Sequence, residues 1–260
     1  ASRTALSKIC GLLKSQFGVD FDLYKMGTVE RRIERRMALR KADTLSRYAE
    51  LLQNDAAELS TLYGDLLIGV TRFFRDPDVF KVLSDTVLPE LIGRRATEGE
   101  KERSDAPRED TAIRVWIAGC STGEEAYSIA ICLLELLEAN SSDTSIQIFA
   151  TDLNAAAIAV ARAGMYPRGI EADVTPERLK RFFRKEDNGY CVSKTVRDCC
   201  VFAVQNITAD PPFSHLDIVS CRNVLIYLQP NAHARLLSVF HYALKPAGIL
   251  VLGTSESVST

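Results

Sequence analysis

The chain has 260 residues, 47% of them apolar and 25% charged, with a formal net charge of −2. That length accommodates one large domain or two small ones around an ample core, and the near balance of charge excludes a global pull toward nucleic acid or a membrane surface. The seven cysteines, at 10, 120, 132, 191, 199, 200 and 221, form no CxxC pair and have no histidine at ligand spacing, which argues against a metal site or a disulfide framework and for reduced thiols in a cytoplasmic protein.

The first 93 residues read as a helical domain. Leucine, isoleucine and methionine recur at helical spacing over Ser2 to Phe17, Thr28 to Lys41, Leu45 to Leu52 and Asp55 to Gly69. Between Lys25 and Lys41 the cations Lys25, Arg31, Arg32, Arg35, Arg36, Arg40 and Lys41 face only Glu30 and Glu34, while Val29, Ile33, Met37 and Leu39 supply an apolar side. Such a run is either a solvated face or a docking surface for a carboxylate-rich partner. Nucleic acid is disfavoured, because no aromatics are interleaved with the cations and the whole chain is acidic. Residues 94–110, RRATEGEKERSDAPRED, hold no aliphatic side chain beyond alanine and are predicted to form a flexible charged linker.

Over 111–260 strands alternate with helices, the pattern of an α/β fold with a mostly parallel, doubly wound sheet. Strands are predicted at Ile113 to Ala118, Ile146 to Thr151 and Asp217 to Ser220, and helices at Glu124 to Glu138 and Asn154 to Ala163. Gly189 to Ile207 alternates around a polar turn and reads as a hairpin, part of a small antiparallel β-subdomain inserted near 170–205. No apolar run approaches the ~18 residues of a membrane span and no signal-peptide pattern opens the chain, so a soluble, unexported domain without membrane insertion is expected.

The segment Arg114 to Ala130, RVWIAGCSTGEEAYSIA, is an apolar strand running through a glycine turn into an amphipathic helix. Amides at such a helix start face a ligand. Glu124 and Glu125 already complement the positive helix end, so a bare phosphate there would meet repulsion and a cofactor with cationic groups is favoured. S-adenosylmethionine, which carries an ammonium and a sulfonium but no phosphate, qualifies; a dinucleotide would want GxGxxG, which the chain lacks. The alternative is a generic turn capped by Ser121 or Thr122. One βα unit on, Asp152 ends the strand of IQIFATDLN, where an acid can accept from both ribose hydroxyls or simply cap the next helix. Asp210-Pro211-Pro212-Phe213 matches the DPPF motif of amino-methyltransferases but precedes the strand LDIVSC instead of following it, so it reads as a stiff loop. Arg222 and Asn223 stand at the true strand end, with Tyr227 about a turn further along.

Taken in order behind a helical domain containing TVERRIERRM, the segments LLIGVTRFFRD, RVWIAGCSTGEEAYSIA, IFATDLN and LDIVSCRNVLIYL closely resemble the bacterial chemotaxis receptor glutamate methyltransferases over nearly the whole chain. The variety fused to methylesterase and sensor domains is the nearest, sharing GVTRFFRDP, FHYALKPAG and LGTSES. The resemblance implies a class I S-adenosylmethionine fold, with S-adenosylhomocysteine as product and methyl esters on receptor glutamates as the outcome. It implies cofactor contacts from Thr71, Arg75, Ala118, Gly119, Glu124, Asp152, Leu153, Asn206, Ile207, Arg222 and Asn223. Tyr227 and Arg75 match residues near the transferred methyl. Gly69 stands where the family usually has asparagine. Family members that dock on a receptor's C-terminal pentapeptide share a glycine-rich loop in the β-subdomain; here FFRKEDNGYCV is shorter and has only Gly189, so no tether site is expected and binding to receptor cytoplasmic helices would rest on the basic helix 28–41. A non-catalytic cofactor-binding signalling module, or a methyltransferase acting on nucleic acid or a small molecule, are the rival readings.

Overall fold

Local capping and periodicity set the element boundaries in the computed structural model, which describes residues 2–101 and 112–258. The chain divides into two units, one of Ala1–Ile68, Asn223–Val239 and Gly253–Thr260, the other of Gly69–Arg222 and Phe240–Leu252.

The first unit is helical. It contains α1 (Ser2–Phe17), α2 (Met26–Leu39), α3 (Leu45–Asn54) and α4 (Ala56–Leu66). Thr44 and Asp55 cap α3 and α4 by accepting from the amides of Arg47 and Glu58. Ile9, Leu13, Ile33, Tyr48, Leu52 and Leu62 fill its core. The later segment of this unit is a 3-10 turn, Leu225–Tyr227, and most of the helix that starts at Pro230. Backbone bonds bind that turn to the N-terminal helices: Lys25 N donates to Tyr227 O at 2.8 Å and Gln229 N to Leu23 O at 2.8 Å, flanking an antiparallel bridge between Tyr24 and Leu228.

Unit membership departs from the boundary at residue 93 that composition predicts. The helices α5 (Pro77–Val82) and α6 (Leu88–Lys101), joined by a π-helical turn at Leu83–Val87, belong with the sheet. Phe80, Leu83, Leu88 and Leu91 are buried in the sheet unit's core, and it is burial, not helix content, that assigns them. Helix α6 also runs through the first half of the predicted linker, carried on by good helix formers such as arginine, alanine, glutamate and lysine. The remainder of that linker, 102–110, lies outside the described residues.

The second unit holds a parallel sheet ordered β6-β2-β1-β7-β8, from β1 (Ile113–Ala118), β2 (Ile146–Asp152), β6 (Cys200–Val204), β7 (Leu216–Cys221) and β8 (Leu244–Leu252). Central β1 carries a buried apolar run over Val115–Ala118 because it is covered on both faces, with the half-buried Arg114 near its start. The chain moves outward through β2 and β6, then returns to the other side of β1 for β7, which makes the β1/β7 boundary the switch point of a doubly wound sheet. Helix α7 (Glu124–Ala139) is buried around most of its circumference, and α8 (Ala155–Ala163) packs against β2 and β6.

The inserted subdomain is a three-stranded antiparallel sheet ordered β3-β5-β4, from β3 (Met165–Pro167), β4 (Phe183–Glu186) and β5 (Gly189–Val192), with α9 (Pro176–Phe182) leading into β4. It therefore spans Met165–Val192 and not 170–205. The hairpin expected at 189–207 is wrong. The polar stretch after β5 folds into α10 (Lys194–Arg197), providing a crossover, and Cys200–Val204 pairs parallel to β2. As a sheet edge β6 buries Phe202 while Val201 and Val204 stay exposed, and this alternation is what imitates a hairpin strand. The actual hairpin turns at Asp187 and Asn188. Gly189 is needed there because a Cβ would meet Tyr166 O at 2.0 Å. Helix α11 (Pro230–Ala243) ends beside β8, with its Phe240 ring packed edge-on against Trp116.

Candidate functional site

The turn between β1 and α7 puts Gly119, Ser121 and Gly123 in the left-handed region, at φ 82°, 50° and 96°. Gly123 occupies the N-cap position with no side chain capping the helix, so neither Ser121 nor Thr122 plays that part. A Cβ on Gly123 would stand 2.8 Å from that of Ala161, which explains the glycine by close packing on α8 as well as by dihedral. Ala118 and Gly119 sit at the carboxyl end of β1 as expected.

Asp152 joins this turn to the next. Its Oδ2 accepts from Ser121 N at 2.8 Å and its Oδ1 from Asn154 N at 2.8 Å, while its carbonyl accepts from Gln205 N at 3.1 Å. The cap of α8 is Asn154, whose Oδ1 takes the amides of Ala156 and Ala157 at 3.0 and 3.1 Å, so helix capping does not account for Asp152. Burial raises the Asp152 carboxyl above the usual range against these amide bonds. Leu153 is half-buried beside it. Glu124 is likewise pushed up by burial, although Thr122 Oγ1 donates to its Oε2 at 2.6 Å.

Two further loops converge on the same strand ends. After β6, Asn206 closes a turn: its amide donates to Asp210 Oδ2 at 2.7 Å and its Oδ1 accepts from Thr208 N and Oγ1, with Ile207 half-buried between them. The DPPF loop follows, and Phe213 stacks on Phe149 at 4.4 Å, a packing role. Before α5, Ser128 Oγ accepts from Phe74 N at 3.0 Å and Phe73 packs edge-on against Tyr166, positioning the segment that carries Thr71 and Arg75. Arg75 Nη1 donates to Val70 O at 2.6 Å.

Arg222 is more deeply engaged than its strand-end position indicates. Its side chain is 1% exposed; Nη1 donates to Glu125 Oε2 at 3.1 Å, and Nη2 to Asp76 Oδ2 and Arg75 O, each at 2.8 Å. Glu125 also accepts from Ser220 Oγ at 2.6 Å, and burial outweighs Arg222 in raising its carboxyl. Sequence reading missed Asp76 and Ser220 entirely. Their signal is tertiary, since Arg222 and Asp76 lie 146 positions apart. Asn223 and Tyr227 belong to the first unit, Asn223 with φ 58° and Tyr227 half-buried in the turn that accepts Lys25 N.

The residues of the second unit fit S-adenosylmethionine. Buried Ser121 Oγ and Gln205 Oε1 lack partners; Ser121 shares the turn that leads to Glu124, and Gln205 follows β6, its amide bonded to Asp152 O. A ligand with hydroxyls, an amino group and positive charge satisfies such a set. No lysine or arginine lies between Gly119 and Glu125 to balance a phosphate. Among the described residues no cluster of His, Cys, Asp and Glu could hold a metal, and no helix is long and apolar enough to cross a membrane.

Comparison with known proteins agrees with this chemistry. A 104.1 kDa protein of Rhodobacter capsulatus is 41% identical over 98% of this chain, which spans 25% of that protein's length. Chemotaxis protein methyltransferase 1 of Pseudomonas aeruginosa is 30% identical over 99% of this chain and 89% of its own, and a chemotaxis protein methyltransferase of Listeria innocua is 31% identical over 95% and 87%. The family model for the CheR methyltransferase all-alpha domain matches residues 4–67 and that for its SAM-binding domain residues 69–260; the two meet at the first unit boundary, although the second match also takes in 223–239 and 253–260 of the helical unit. This chain therefore belongs to the CheR methyltransferase family, with S-adenosylmethionine as the cofactor of its α/β domain.

Proposed function

We propose that the chain is a cytoplasmic protein-glutamate O-methyltransferase acting on receptor cytoplasmic helices. The observation that carries this reading is the pair of carboxylates, Glu124 and Asp152, held at adjoining strand ends around a glycine turn without a compensating cation, in a chain of this family. When bound, S-adenosylmethionine supplies a sulfonium-activated methyl. Asp152, already fixed by Ser121 and Asn154, receives the ribose hydroxyls, and Glu124 faces the methionine ammonium. Both carboxyls are raised by burial, and a cationic ligand beside them would favour their ionised forms.

Little else is required of the protein. A substrate glutamate is ionised at neutral pH and attacks in line without a general base, so the task is orientation and exclusion of water. Arg75 and Tyr227 orient the incoming carboxylate. Arg222 holds the Arg75 segment in place through Arg75 O.

Recruitment rests on α2, in a narrower form than its composition indicates. Half-buried Arg36 is committed to Glu58 and Asp65, and Arg40, though exposed, pairs with Asp55, which leaves the exposed Lys25, Arg31, Arg35 and Lys41 for docking. The reading leaves no part for a pentapeptide tether. Labelled methyl transfer from S-adenosylmethionine into receptor cytoplasmic fragments decides the matter. Alkali-labile incorporation supports glutamate esterification; alkali-stable product indicates another methyl acceptor, and cofactor binding with no transfer to any receptor indicates a signalling module.

A further inference from the structure

Four backbone amides converge on one carboxylate in the first unit. Glu256 Oε2 accepts from Asn223 N at 2.9 Å and Gly253 N at 2.6 Å, and its Oε1 from Val224 N at 2.9 Å and Leu225 N at 2.8 Å. Three of these donors open the turn that carries Asn223 and ends in Tyr227. Asn223 is itself left-handed, a conformation that asparagine tolerates better than most residues at a turn. Gly253 admits the carboxylate, because a Cβ there would lie 2.7 Å from Glu256 Oε2 and 3.0 Å from Asn223 N.

We infer that Glu256 is a positioning residue for methyl transfer, its carboxylate fixing through these amides the turn that presents Asn223 and Tyr227. The inference rests on the reading that Tyr227 orients the incoming carboxylate and that Asn223 contacts the cofactor. Charge-assisted bonds to several amides of one turn are strong and directional, and no neutral side chain can replace them: glutamine offers a single acceptor oxygen and turns an NH2 toward donors. The turn is tied on its far side by Lys25 N to Tyr227 O, so Glu256 supplies the constraint at its beginning.

The test uses the full chain with Glu256→Gln. Amide hydrogen exchange at Asn223, Val224, Leu225 and Gly253 should accelerate while α4 stays protected, and kcat for receptor methylation should fall roughly tenfold, with a smaller change in KM for the receptor. Combining Glu256→Gln with Tyr227→Phe should cost no more than the worse single change, because both act through one turn. Unaltered exchange and kcat, or losses that multiply in the double variant, overturn the role of Glu256. If Glu256→Gln does not fold, Glu256→Asp keeps the charge and both acceptors at a shorter reach; faster exchange at the same amides with undiminished kcat then overturns it. Full activity in both Tyr227→Phe and Asn223→Ala would instead remove the site reading itself, whatever Glu256 does.

Discussion

Glu58 of the helical unit and the carboxylates around the glycine turn of the sheet unit are treated in opposite ways. In the helical unit Glu58 is 3% exposed and fully partnered: Arg36 donates to both its oxygens at 2.9 and 2.5 Å, and Tyr48 adds a bond at 2.8 Å. Burial alone would raise Glu58, but these bonds with the charges of Arg36 and Arg40 outweigh it, and its carboxyl is held below the usual range. In the sheet unit Asp152, Glu124 and Glu125 are all raised, burial being the largest cause for each. The contrast separates a carboxylate that serves the fold from carboxylates kept incompletely compensated, which is the usual mark of a binding site.

Breaking the helical side of this contrast should have the largest effect. Glu58→Ala leaves the half-buried Arg36 with only Asp65, at 3.7 Å, and removes the acceptor of Tyr48, so denaturant unfolding should show a loss of about 3 kcal/mol. Charge reversal at Arg36 should unfold the same unit, so it cannot test receptor docking. On the sheet side Asp152→Ala should weaken cofactor binding by about 1.5–3 kcal/mol in calorimetry, the scale of a charged hydrogen bond. Unchanged affinity in a folded variant would reduce Asp152 to a loop fastener.

Acid sharpens the comparison. Glu58 has a lowered carboxyl, so its stabilisation is complete above the ordinary carboxylate range and disappears as pH falls through the lowered value. For Asp152, Glu124 and Glu125 the sign reverses: the folded state favours the proton, ionisation costs stability near neutrality, and that cost is relieved as pH falls through their raised values. Mild acidification should therefore weaken binding of the cationic cofactor while the helical unit keeps its stability. Titration calorimetry in buffers of different ionisation enthalpy should detect proton release on binding; affinity that rises on acidification would contradict this account. The smallest effect is expected at the surface, where charge reversal at Arg31 and Arg35 should weaken receptor association in a salt-dependent way. Unaltered receptor methylation, or micromolar pentapeptide binding to this chain, would count against that docking mode.

The sequence was most readable where cause and effect are neighbours. The change from a strand run to helical spacing across Gly119–Gly123 identifies both elements and the turn between them. Cys200–Val204 misled because one buried Phe202 among exposed valines looks alike in a hairpin and at a parallel edge. The basic helix misled differently: Glu58, which takes Arg36 out of any docking surface, comes 22 residues later, and nothing in TVERRIERRM announces it. Glu256 was equally silent, lying 33 residues beyond the amide of Asn223 that it holds.

The chain's single tryptophan, Trp116, is wholly buried on β1, and its indole N–H reaches Thr151 Oγ1 at 2.9 Å, one residue before Asp152. The helical unit contains none. Selective indole emission is thus a native optical label for the sheet unit, silent about its partner, whereas far-ultraviolet dichroism registers both. Melting the protein while recording the two signals together would reveal whether the halves come apart as one cooperative event or in sequence, with no dye attached and no residue replaced.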